Sequence, residues 1–182
     1  MPTMPDETSV LDHEVRVEAR PDTVFAFFTD PAKFVQWMGA EATLDPRPGG
    51  VCRIAFQPPR QRVEDLSGSF GVDREEARER YEQTSGVGVM SGEFVEVDPP
   101  RRIAFTWGWE EELLALPPQS TAVEVILTPD GDDTILRLTH RRLPADAVEF
   151  HRMGWEHYLP RLALAASGGN PGPDPWQVAA PA

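Results

Sequence analysis

Residues 13–19, HEVRVEA, set Val15, Val17 and Ala19 against Glu14, Arg16 and Glu18. A period of two predicts a strand with one wet face. The rhythm then lengthens. In RPDTVFAFF, Pro21 suits the first turn of a helix. TDPAKFVQWM starts a second one, with Asp30 as cap, Pro31 at the first helical position, and Phe34 and Trp37 three apart. From Ala40 alternation returns in pairs. AEATLD and VCRIAF flank PRPGG, GVMSGEFVEVD and RRIAFTWGWE flank PP, and TAVEVILT and DTILRLTHRR flank PDGD. Pro, Gly and Asp-Gly at these places predict reversals, hence three successive hairpins. On one face of RIAFTWGW lie Ile103, Phe105, Trp107 and Trp109; on the corresponding face of TILRLTH lie Leu136, Leu138 and His140.

Two stretches break the pattern. Residues 57–87 hold a charged excursion in which DREEARERYEQ predicts a short helix. Glu76–Arg80 and Glu75–Arg78 have favourable spacing. Only Phe70, Ala77 and Tyr81 offer an apolar seam, which fits either a solvated surface excursion or a mobile lid over an opening. The closing helix, about residues 145–166, places Val148, His151, Trp155, Tyr158, Leu159, Leu162 and Ala166 on one stripe. Gly154 at its edge is expected to admit a neighbouring backbone, and Pro160 to bend it. Residues 167–182 read as a Pro- and Gly-rich tail, either disordered or strapped to the surface through Trp176. Residues 1–11 read as an N-terminal tail, leaving 12–166 as a single domain.

Composition narrows the partners. Thirty acidic against 17 basic side chains give a net charge of -13, which disfavours nucleic acid and anionic membrane surfaces. Cys52 is alone, so neither an intrachain disulfide nor a Cys-based metal cage is expected. The start lacks a secretory pattern, and no apolar run approaches the roughly 20 residues that span a bilayer. The expectation is a cytoplasmic protein without membrane insertion. There is no GxSxG, P-loop, GxGxxG, HxH or HExxH pattern, so no cofactor and no metal are expected.

Strand, two short helices, six strands in hairpins and one long helix is the order of the helix-grip fold. DPRPGG, GEFVEVDPPRRIAFTWGW, STAVEVILTPDGDDTILRLTH and GWEHYLPRLA resemble bacterial relatives of the C-terminal domain of the heat-shock-protein-90 ATPase activator. These belong to the START-like superfamily, with the birch-pollen allergen, lipid-transfer domains and polyketide cyclases. The resemblance covers about residues 12–166. It implies an α+β fold in which a curved antiparallel sheet of about seven strands wraps around a long C-terminal helix. The excursion at residues 60–86 looks longer than in that family, so a lid or partner surface there would be particular to this chain. Eukaryotic activators carry a further N-terminal domain that helps engage the chaperone; this sequence is expected to lack one, which weighs against a co-chaperone role.

In a helix-grip fold the sheet and last helix enclose a cavity. Phe105, Trp107, Trp109, Leu138, His140, His151, Trp155, Tyr158 and Leu159 are then the expected wall, wide apolar faces with polar edges that suit an apolar or aromatic small molecule. His140 and His151 are either hydrogen-bonded wall residues or an acid–base pair in a cyclase or aromatase-like enzyme; His13 and His157 are expected on outer faces. Cys52, on a strand face with Ile54 and Phe56, reads as a buried structural thiol. Three functions stay open: a hydrophobic-ligand binder, a cyclase-like enzyme and a regulator of a chaperone ATPase. A protein partner and a homodimer are compatible with each.

Overall fold

In a computed structural model, residues 9–110 and 116–178 are described, apart from the side chain of Phe70. The expected residues 1–8 of the N-terminal tail and the last four of the C-terminal tail lie outside that range. Seven strands form one antiparallel sheet: β1 (Ser9–Val17), β2 (Glu41–Leu44), β3 (Val51–Phe56), β4 (Gly88–Asp98), β5 (Arg102–Trp107), β6 (Thr121–Asp130) and β7 (Asp133–Leu143), in the order β1-β7-β6-β5-β4-β3-β2. Every sequence-neighbouring pair from β2 to β7 is adjacent except that β1 crosses to β7, pairing Val15 with Leu136 and His13 with Leu138. β1 begins at Ser9, inside the stretch read as a tail.

The helices are α1 (Pro21–Thr29), α2 (Pro31–Phe34), α3 (Arg60–Leu66), α4 (Arg74–Gln83) and α5 (Val148–Ala166). Asp30 caps α2 by accepting from Ala32 N at 2.9 Å. Trp37 lies beyond α2 rather than within it, and its indole N–H donates to Phe27 O at 3.0 Å. That bond ties the two short helices together over the core.

The core fills the space between the sheet's inner face and α1, α2 and α5. Val17, Val24, Ile54, Ile103, Val123, Val125, Leu136, Leu138 and Leu162 are fully buried in it. Cys52 is buried beside Ile54, and burial pushes its thiol up to about 12, so it is inert at neutral pH. α5 runs unbroken through Pro160, which sits on the exposed outer face. Its missing N–H therefore frees a carbonyl near water, not in the core.

The excursion between β3 and β4 contains a helix that periodicity did not predict. α3 precedes a 3-10 turn at Ser67–Phe70, and α4 follows with Asp73 capping it through Glu75 N at 2.8 Å. Arg60, Arg74 and Arg78 converge on the Glu64 carboxylate, at 2.9, 3.6 and 3.1 Å. The Arg74 and Arg78 pairs hold α3 against α4, while Arg60 pairs within α3; Arg78, then Arg60, keep the Glu64 carboxyl below the usual range. Glu76–Arg80 forms as its spacing predicts, at 2.6 Å. Arg78 turns to Glu64 instead of the expected Glu75.

Candidate functional site

A cavity of about 530 Å³ lies between β3–β5, α5 and the α3–α4 pair. Trp107, Trp109 and Phe56 come from the sheet side, and His151, Trp155 and Tyr158 from α5. The excursion supplies the opposite wall through Val63, Leu66, Val72, Ala77 and Tyr81. The excursion thus covers the space as a lid would. Tyr81 is held by its hydroxyl, which donates to Pro58 O at 3.1 Å. Gly86, at φ +76, leaves room for the Tyr81 ring: a Cβ there would stand 2.5 Å from Tyr81 Cζ.

Of the residues expected on the wall, Trp107, Trp109, His151, Trp155 and Tyr158 line the cavity. The structure places Phe105, Leu138, His140 and Leu159 in the buried core behind it instead. They share the inward faces, but lie where sheet and helix meet directly. Trp109 reaches the wall from beyond the end of β5. Gly108 allows this: a Cβ there would lie 1.8 Å from Pro117 O, and Trp109 N donates to Leu116 O at 2.8 Å.

Gly154 also lines the cavity, but no backbone approaches it. A Cβ built there meets nothing within 4 Å, which corrects the expected close contact. The missing side chain is empty space belonging to the cavity. Pro58, Val63, Leu66 and Val72 of the wall were not singled out in the sequence, because their apolar spacing is too sparse to mark a buried face.

His140 and His151 meet with ring centroids 5.1 Å apart. Trp155 Nε1 donates to His140 Nδ1 at 3.2 Å, His140 Nε2 lies 2.8 Å from Thr121 Oγ1, and Thr121 Oγ1 donates to Trp107 O at 2.9 Å. His140 must then carry its proton on Nε2 and give it to Thr121. In the same way Trp107 Nε1 donates to His151 Nε2 at 3.2 Å, so His151 carries its proton on Nδ1, 2.8 Å from Ala147 O. Both rings are neutral and every ring nitrogen is engaged. Burial draws the His140 pKa well below 6.5, aided by His151, and that of His151 to about 4, against the Ala147 hydrogen bond. The indole N–H of Trp109, by contrast, is buried with no partner among the described residues.

The chain after α5 is a strap. Trp176 stacks on His157 of α5 with centroids 3.8 Å apart and planes 9° from parallel, and the Arg62 guanidinium of α3 lies 3.6 Å from its ring centroid. Asp174 pairs with His157 at 2.8 Å, so His157 is covered by the strap. Gln177 bridges Gln57 N at 2.6 Å and the Tyr158 hydroxyl at 3.2 Å. Trp176 therefore clamps lid to helix. Trp176→Ala is expected to speed amide hydrogen exchange in residues 60–83 while leaving β5–β7 protected. Unchanged lid exchange would mean that the strap does not hold it.

The fold and the covered cavity define a helix-grip protein. The chain belongs to the family described as Activator of Hsp90 ATPase homolog 1-like protein, which matches residues 18–88 and 74–166. An AHSA1-like protein of Rhizobium etli is 36% identical, with 97% of this chain and 92% of that one covered and a TM-score of 0.62. CalU16 from Micromonospora echinospora is 25% identical over 91% of this chain and 81% of its own, with a TM-score of 0.60. An HSP90 activator from Plasmodium falciparum shares the fold, at 20% identity, 86% and 94% coverage and a TM-score of 0.57. No curated protein matches. Among the described residues no helix is long and apolar enough to cross a membrane, and no three His, Cys, Asp or Glu side chains gather as a metal site.

Proposed function

We propose that this protein binds an apolar or aromatic small molecule beneath α5 and the α3–α4 lid. The observation that carries the reading is the cavity of about 530 Å³, walled by Trp107, Trp109, Phe56, Trp155 and Tyr158. That volume falls in the range of small-molecule sites, whose walls are largely apolar with few polar groups. An acceptor atom brought against Trp109 Nε1 would relieve a buried donor that otherwise costs about 1–3 kcal/mol. The cyclase alternative needs a group free to move a proton. Both histidines have each nitrogen engaged, which favours binding over turnover. A role in regulating a chaperone ATPase draws only on the family resemblance.

The wall tryptophans report occupancy. Titration with hydrophobic and aromatic probes is expected to give saturable quenching of Trp fluorescence and a raised melting temperature. Gly154→Leu is the sharper test. It fills cavity space and removes a helix-interior glycine, so stability is expected to rise by up to about 1 kcal/mol while quenching is lost. A panel without saturable binding to the native protein, or full binding by Gly154→Leu, would place the ligand elsewhere or nowhere.

A further inference from the structure

The cavity wall has a charge pattern opposite to that of the whole molecule. The chain carries 30 carboxylate side chains against 17 basic ones. Yet among the described residues that line the cavity there is no Asp or Glu, and the only charged side chains are Arg62 and Arg80. A wall that carries arginines and no carboxylate favours an anion locally, against the negative field of the molecule as a whole.

The two arginines differ. Arg80 is tied to Glu76 at 2.6 Å. The Arg62 side chain has neither a hydrogen bond nor an ion pair among the described residues; its guanidinium carbon lies 3.6 Å from the centroid of the Trp176 ring. Stacking occupies the face of the group and leaves its in-plane N–H donors available, in the fork that fits a carboxylate. Asp174, the carboxylate of the adjoining strap, accepts from Trp176 N at 2.9 Å and pairs with His157 through Oδ1 alone; its charge is felt at Arg62 without forming an ion pair, and its Oδ2 is buried with no partner among the described residues. Partial burial draws the Arg62 pKa below the ordinary arginine value, a desolvation that a bound anion would offset. From Arg62, ring contacts run through Trp176, Tyr158 and Phe56 to Trp109, with centroid separations of 5.8, 6.1 and 5.5 Å. A cation thus stands at one end of a continuous apolar row.

We propose that the ligand class is an amphiphilic carboxylate, its apolar body on the Tyr158–Phe56–Trp109 row and its carboxylate on Arg62. This rests on the binding reading above and adds the anionic head. Arg62 is the anchor and Trp176 the plate that orients it.

Decanoate and decan-1-ol, which share a chain and differ in charge, separate the two claims. Native protein is expected to bind decanoate at least about tenfold tighter, the effect of one charge-assisted hydrogen bond. Arg62→Gln is expected to erase that preference with decanol affinity unchanged, Arg62→Lys to retain part of it, and Arg80→Gln to keep it whole. Melting temperatures near the native value confirm that each variant is folded. Equal affinity for both probes in the native protein would overturn the anionic head and leave the cavity reading intact. A preference that survives Arg62→Gln, or vanishes in Arg80→Gln, would remove Arg62 as anchor. If neither probe nor the wider panel binds, the cavity reading falls and this inference with it.

Discussion

His140→Leu is expected to lower stability by about 2–3 kcal/mol, read as a drop in urea midpoint with unchanged slope. The ring accepts from Trp155 Nε1 and donates to Thr121 Oγ1, and Leu does neither. Thr121 keeps its bond to Trp107 O, so the main cost is the stranded indole N–H, in a site where His140 and Trp155 are both buried. Trp155→Phe removes that donor; in the His140→Leu background it is expected to cost less than in the native protein, a coupling that a double-mutant cycle reads directly. His140→Gln, able to accept and donate, is expected to recover part of the loss. The enzymatic alternative makes a different forecast, loss of turnover with an unmoved melting temperature. An unchanged urea midpoint in His140→Leu would favour it.

The second large effect is acid sensitivity well above the carboxylate range. Both histidines are neutral in the folded state with depressed pKa values, His151 at about 4 and His140 lower than its usual 6.5 by a wide margin. The unfolded chain binds protons near pH 6.5, so below that pH it holds more protons than the folded protein, and stability falls as pH falls. Their contribution is intact above about pH 6.5 and is lost progressively toward pH 4 for His151, and further for His140. Between pH 6 and 5 the two together are expected to cost about 2 kcal/mol. Partly buried His13 adds in the same direction. The Glu64 and Glu110 carboxyls, held low by Arg78 and Arg53, give way only at lower pH. Urea titrations across this window check it, and His140→Leu is expected to remove a large share of the slope. A flat stability between pH 7 and 5 would mean that the rings are protonated or solvated in the fold.

The sheet was legible because each hairpin carries both alternation and turn chemistry: PRPGG, PP and PDGD all fall at reversals between paired strands. The inner stripe of α5 was legible too, since Trp155, Tyr158 and Leu162 repeat at helical spacing. Position along those faces was not. Alternation puts Phe105 and Trp107 on the same side of β5, but only the placement of α5 decides that one meets the core and the other the cavity. The first helix of the lid escaped detection because RQRVEDL has just Val63 and Leu66 to declare a face, and those half-buried residues face a space that exists only once the sheet has curved. Trp176 suggested a strap without naming its partners. His157 and Arg62 come from elements far apart in sequence, and nothing local to any of the three announces the stack.

The crossing of β1 to β7 has a consequence for biogenesis. Hairpins β2–β3, β4–β5 and β6–β7 need only near neighbours, whereas Val15 meets Leu136 across most of the chain. Such distant pairings close slowly compared with local ones. During translation the first strand therefore waits without a ladder until the last one emerges from the ribosome. The nascent chain spends that interval with an open sheet edge, a state more exposed to mispairing than the closed fold.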